Sequence, residues 1–389
     1  MNAVELTAAL VQFDSRNPSL VSSSTGERGV ACFLGRVLDD WGFRTELVDV
    51  ADGRCNLIAR AGAATAGART LMLNGHLDIV GTDDMTHPPF VPSIVDGLLY
   101  GRGSADMKGG IAAMCVAARD ALQRGIAGQI VIAAVIDEEY ESLGTRALVS
   151  SGVRTDAAII TEPTGLAMCP AHRGFVWARL DFRGRAAHGS RYDLGVDAIT
   201  HAALVIAELH RLQLDVLHRR SHPLLGRPSL HASTIAGGTG LSTYPDRCTV
   251  KIERRTIPGE TEATFLQELN ESCHIVRSSN PTLDVSIQVT TSQLPSDVPL
   301  DAPVLAELER ALKEENIPIR IEGLSAWTDA ALLNEAGIPA ICFGPGDIAL
   351  AHSSTEWVPV QQIHDATRVL ERFISTWCNG FQSQPSACS

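Results

Sequence analysis

Lysine is scarce in this chain: among 32 basic residues, only Lys108, Lys251 and Lys313 are lysines, and the rest are arginines. Positive charge is short overall, with 45 acidic residues giving a net charge of −13. A surface of that sign repels nucleic acid and anionic membranes, so neither is expected as a partner. No apolar run reaches the length of a membrane-spanning helix. The N-terminal stretch MNAVELTAALVQFDSRNPSL has no basic segment ahead of a long apolar run, which argues against a signal peptide. CxxC pairs are absent. The nine cysteines, an odd number scattered from Cys32 to Cys388, fit the buried thiols of a reduced, cytoplasmic protein. A P-loop is missing, and Gly101-Arg102-Gly103 is a bare GxG without the third glycine, which argues against a nucleotide or nicotinamide enzyme.

What is present is an ordinary globular composition, 45% hydrophobic and 20% charged, over 389 residues. At roughly 150 residues per domain that is two to three domains' worth of chain. Between Arg69 and Thr164, strand patterns (70–73, 129–136, 157–160) alternate with a helical pattern over 109–125. This predicts an α/β domain whose mostly parallel sheet is covered by helices on both faces. From Phe175 the order becomes strand 175–182, helix 195–212, strands 229–235 and 247–257, helix 262–276 and strand 283–290. That is a ferredoxin-like β-α-β-β-α-β unit, inserted into the first domain. Proline-bearing runs 217–228 and 291–300 read as loop or linker. The α/β pattern returns with a helix over 304–314 and a strand over 338–343, ending in a polar tail, 382–389. The predicted organisation is 1–174 and 291–389 as one domain in two parts, with 175–290 between them.

Acids and histidines cluster where the strands of the first domain should end, the edge at which open α/β sheets bind ligands. His76 and Asp78 follow TLMLNG, and in an extended HxD triplet Asp78 can hold the His76 ring by its second nitrogen. Asp106 lies among the glycines of GRGSADMKGG, either as a helix cap or as a ligand. Asp137-Glu138-Glu139 end a very hydrophobic strand, where three acids repel unless a cation offsets them. Of two adjacent carboxylates there, one can bind metal while its neighbour takes a proton from water. Glu162 ends a third strand, and His352 lies in a loop of small residues. Nitrogen and oxygen donors without thiolate suit zinc first, then cobalt or manganese. Five ligands fit two metals that share a bridging carboxylate, and Asp106 is the natural bridge.

These segments resemble a known family. GHLDIV (75–80), YGRGSADMKGG (100–110), DEE (137–139), TEP (161–163) and AHSSTEW (351–357) occur in the order and spacing of the co-catalytic zinc amidohydrolases and exopeptidases. That family includes acetylornithine deacetylase, succinyl-diaminopimelate desuccinylase, aminoacylase and glutamate carboxypeptidase, and the resemblance runs from about Leu6 to Arg372. It implies that His76, Asp106 and Glu162 bind one metal, that Asp106, Glu139 and His352 bind the other, and that Glu138 is the general base. It also implies a lid domain that mediates a homodimer. GRAAHGSRYDLGVDAI (184–199) is similar to the segment whose histidine polarises the substrate carbonyl, which points to His188. ERRTIPGE (253–260) is similar to the segment whose arginine holds the substrate carboxylate, which points to Arg255. Where many members have asparagine in the GG…P segment, GGTGLSTYPDR has Ser242, as in the acetylornithine deacetylase-like branch.

The activity implied is hydrolysis of the amide bond of an N-acyl amino acid by a water held on two divalent metals. A metallo-dipeptidase or carboxypeptidase with the same site is the nearest alternative. A catalytically dead metal-binding module would require a broken ligand set, and every position is filled. His201, His210 and His218 read as exposed helix residues, and Asp329 as either a helix cap or a neighbour of the site.

Overall fold

The computed structural model describes residues 1–63, 65 and 67–380, so the polar tail and Cys388 lie outside the described residues. Two compact units are present: Met1–Pro170, Val298–Glu322 and the chain from Thr328 form the first, and Ala171–Asp297 with Gly323–Trp327 forms the second.

The centre of the first unit is four parallel strands, side by side in the order Gln129–Val135, Thr70–His76, Ala157–Ile160, Ala340–Cys342. Their sequences (QIVIAAV, TLMLNGH, AAII, AIC) are nearly continuous apolar runs because both faces of the sheet are covered. Beyond Gln129–Val135 the sheet continues antiparallel through the hairpin Arg54–Gly62 and Arg44–Ala51. One helix group comprises Ala3–Val11, Gly109–Arg124, Pro303–Glu314 and Val360–Asn379, and the other Arg28–Asp40, Leu143–Ser150 and Ala330–Glu335. Local chemistry sets the helix ends: Asn2 and Glu5 form a reciprocal capping box, and Pro303 occupies the first turn of its helix. No helix among the described residues is long and apolar enough to cross a membrane.

Four antiparallel strands make the sheet of the second unit, in the spatial order Ser229–Gly237, Arg247–Thr256, Gly174–Arg183, Asp284–Gln293. Helices Ala198–Asp215 and Glu262–Ser279 cover one face, and Leu180, Phe182, Val205, Leu209, Phe265 and Leu269 are part of the shared core. The connectivity is β-α-β-β-α-β. The first helix starts at Ala198 because the Asp197 side chain accepts the Thr200 N–H, three residues later than periodicity alone suggests. The run 291–300 is not all loop: strand Asp284–Gln293 extends into it and Ser296–Asp297 pairs with Ala171–His172. His201 is buried in the unit's core region and not exposed, whereas His210 is exposed. Among the described residues eight cysteines are free, and all but Cys32 are buried.

Candidate metal centre

Asp106 is delivered by a loop that another carboxylate organises. Gly103 turns at φ 78°, a conformation that suits glycine, and Asp106 itself has extended angles (φ −118°, ψ 93°) before helix Gly109–Arg124 begins. It is therefore no helix cap. The buried Glu356 accepts the N–H of Gly103 at 2.9 Å, of Ala105 at 3.0 Å and of Asp106 at 3.1 Å. Arg102, also buried, donates to Glu356 at 3.0 Å and to the Ser353 carbonyl at 3.1 Å. These bonds tie the loop that follows His352 to the loop that carries Asp106. At Gly110 an added Cβ would stand 2.0 Å from the Thr161 carbonyl oxygen, so only glycine lets this helix approach the strand end that bears Glu162.

His76 is the last residue of its strand. Its Nδ1 donates to the backbone carbonyl of Asp78 at 2.9 Å, which turns Nε2 toward Asp106. The Asp78 carboxylate is 3.7 Å from Nδ1, too far for a hydrogen bond, so it does not hold the ring as the HxD triplet suggests. It accepts instead from the backbone N–H groups of Glu138, at 3.2 Å, and Glu139, at 3.1 Å. Asp78 thereby orients the acidic turn.

The side chains converge on Asp106. Its Oδ1 lies 3.0 Å from His76 Nε2 and its Oδ2 lies 3.3 Å from His352 Nε2. Glu162 Oε1 flanks His76 Nε2 at 4.0 Å, and Glu139 Oε2 flanks His352 Nε2 at 2.9 Å. His76, Asp106 and Glu139 place ligand atoms within 4.8 Å of one another. His352 sits at φ 60°, a left-handed backbone that costs a non-glycine residue about 1–2 kcal/mol.

Electrostatics describes a site built for cations. Burial pushes the Glu138 carboxyl well above the usual range and Glu162 up to about 8, with neighbouring acids adding to the shift. Glu139 is raised by burial and by Asp106. His352 is raised to about 10 by its bonds to Asp106 and Glu139. For His76, burial opposes the charged ring but Asp106, Glu162 and Glu138 outweigh it, and its pKa rises. For Asp106, burial is outweighed by bonds from both histidines, and its pKa falls. Two histidines and three carboxylates, with one oxygen of the shared carboxylate facing each histidine, fit a pair of divalent ions.

Asp329, 1% exposed, makes no cap bond. It accepts the Thr145 hydroxyl at 2.6 Å, and burial pushes its carboxyl up to about 6.

His188, Ser242 and Arg255 belong to the second unit. His188 bridges Thr243, and the Gly189 N–H donates to the Ser242 carbonyl at 2.7 Å, so His188 and Ser242 are neighbours. The His188 ring pairs with the Ser190 hydroxyl at 2.8 Å. Arg255 lies 5.3 Å over the Phe175 ring and pairs with Glu253 at 2.9 Å. Sequence reasoning misses Glu356, Asn17 and Arg54, whose partners are far away along the chain. Only the inclusion of Glu356 in the AHSSTEW segment hints at any of them.

Known proteins resemble this chain in sequence and in fold. Residues 72–376 match the model of "Peptidase family M20/M25/M40". The chain is 31% identical to an acetylornithine deacetylase of Myxococcus xanthus, over 88% of this chain and 90% of the relative. It is 28% identical to a probable succinyl-diaminopimelate desuccinylase of Staphylococcus epidermidis, over 91% and 92%. The fold matches the crystal structure of a tripeptidase from Staphylococcus aureus with a TM-score of 0.80 at 19% identity, covering 97% of this chain and 98% of that one.

Proposed function

This chain belongs to peptidase family M20/M25/M40 and is a hydrolase, and from that premise we propose that it cleaves the amide bond of an N-acyl amino acid, in the manner of an acetylornithine deacetylase. The observation that supports the reading is the division of Asp106 between His76 and His352, with Glu162 flanking the first histidine and Glu139 the second. Two divalent ions held there, zinc first and cobalt or manganese next, would supply Lewis acidity and a water acidified toward neutrality.

The rest falls to this chain's own side chains. Glu138, whose carboxyl burial keeps proton-hungry, would take the proton of the attacking water and return it to the leaving amine. Asp78 would hold the Glu138 backbone in place for that exchange. His188 would donate to the developing oxyanion. Arg255 would receive the substrate carboxylate, with Ser242 as a further contact. Since Arg255 already pairs with Glu253 and rests on Phe175, a bound carboxylate would share a guanidinium that is held in place beforehand. The second unit would form a homodimer contact, and the protein would work in the cytoplasm.

A deacylase is favoured over a dipeptidase or carboxypeptidase because the 31% identity is to a deacetylase, whereas the tripeptidase likeness stands at 19%. The test is a panel of N-acetyl, N-succinyl and N-formyl amino acids against dipeptides, run separately with zinc and with cobalt. Faster turnover of dipeptides than of every N-acyl amino acid would overturn the deacylase reading.

A further inference from the structure

Beneath the acidic turn runs a buried polar chain: Glu27, Arg54, Asp137, Asn17, Asp78. Arg54 donates from Nε to Glu27 at 2.9 Å and from Nη1 to Asp137 Oδ1 at 2.9 Å. Asn17 then spans two carboxylates with one nitrogen. Its Nδ2 donates to Asp78 Oδ2 at 2.8 Å and to Asp137 Oδ1 at 3.0 Å. Its Oδ1 accepts the Ser19 N–H at 2.9 Å, and its own N–H donates to the Ile79 carbonyl at 2.8 Å. Because two carboxylates offer only acceptors, the orientation of the amide is determined.

Both carboxylates that Asn17 joins control the same turn. Asp78 accepts the N–H groups of Glu138 and Glu139. Asp137 opens the turn at φ 70°, and its Oδ2 accepts the N–H groups of Glu141, at 3.3 Å, and Leu143, at 3.4 Å. Few side chains could replace Asn17. An aspartate would add a third negative charge and remove both donors, a serine has one hydrogen to give, and a glutamine is a methylene too long.

We propose that Asn17 is a positioning residue of the metal centre. By joining Asp78 to Asp137 it sets the backbone of the Glu138–Glu139 turn, and with it the affinity of the ion position to which Glu139 contributes. The inference rests on the reading of Glu139 as a metal ligand. Partners that orient ligands in this way typically govern metal affinity by about 10- to 100-fold.

The experiment is calorimetric titration of the metal-free full chain with zinc or cobalt, for wild type, Asn17→Ala, His352→Ala and the double variant. Asn17→Ala should weaken one of two ions by about 10- to 100-fold and leave the other within about threefold, with kcat falling and KM retained. In the His352→Ala background it should leave the remaining ion's affinity unchanged. A wild type that binds fewer than two ions removes the ligand reading and the proposal together. A wild type with two ions, beside an Asn17→Ala variant whose ions are both intact or both weakened alike, overturns the proposal alone. Asn17→Asp should be worse than Asn17→Ala; if it fails to fold, the alanine series decides.

Discussion

Glu356 accepts the backbone N–H of Asp106 at 3.1 Å, so the residue that faces both histidines is positioned by a carboxylate 250 residues away in sequence. Glu356→Gln keeps the shape of the side chain but removes the charge that offsets buried Arg102 and leaves fewer acceptors for three N–H groups. Stability should fall by about 3 kcal/mol, and, on the proposed reading of Asp106 as the shared ligand, uptake of both ions should weaken. Chemical denaturation and metal titration check the two effects separately.

Glu138→Gln should retain both ions yet lose about 100- to 10,000-fold in kcat, the range of a removed general acid–base. The Glu138 N–H bond to Asp78 is made by the backbone, so the turn should survive the substitution. A variant with full metal content and near-native turnover would end the assignment of Glu138 as base.

In the metal-free protein, Glu162 titrates at about 8 and His352 at about 10, both above their ordinary values. A group whose pKa is raised by folding contributes stability that is present below its unfolded pKa and lost as pH rises through the folded one. Both groups therefore act in the same direction, and their contribution to the stability of the metal-free chain should decline as pH is raised from about 5 to about 9, whereas buried Lys108 and His172, lowered to about 7 and about 4, act oppositely with or without metal. Saturating zinc or cobalt should flatten that decline by giving the carboxylates a cation in place of protons. Thermal denaturation with and without metal, across that range, is the measurement.

On the proposed role of His188 as an oxyanion donor, His188→Ala should lower kcat by about 100- to 1,000-fold, while metal stoichiometry stays at the wild-type value. Metal analysis of the purified variant beside its kinetics separates this from a loss of ions.

Much of the fold shows in the sequence where burial is symmetrical. QIVIAAV and AAII are apolar throughout because helices cover both faces of the central sheet, and such runs declare themselves. RTELVDVA, the edge strand Arg44–Ala51, is half exposed along its length and carries acids and an arginine, so no pattern announces it. His76, Glu138, Glu139 and Glu162 are legible as strand-end residues because the parallel strands finish at one edge, whereas Asp106 and His352 lie on loops and show only through their segments. Their supports are not. Asn17 meets Asp78 and Asp137, and Arg54 meets Glu27 and Asp137, through contacts that leave no local periodicity. Asp78 shows the same limit at short range: its spacing from His76 suggests a bond to the ring, whereas its carboxylate serves the backbone of a turn sixty residues on.

The interruption of the first unit by the second has a consequence for synthesis on the ribosome. The strands between Gly174 and Gln293 pair with one another in a consecutive β-α-β-β-α-β sequence, so their pairing awaits no later strand, and only Gly323–Trp327 is still to be added to this unit. The first unit differs. Its strand Ala340–Cys342 must pair with Ala157–Ile160, and helix Val360–Asn379 must cover the sheet, after the whole insert has been made. Until then Asp106, Glu139 and Glu162 await both His352 and Glu356. The candidate metal centre is therefore among the last features of the nascent chain to become whole, and a product interrupted before His352 lacks it.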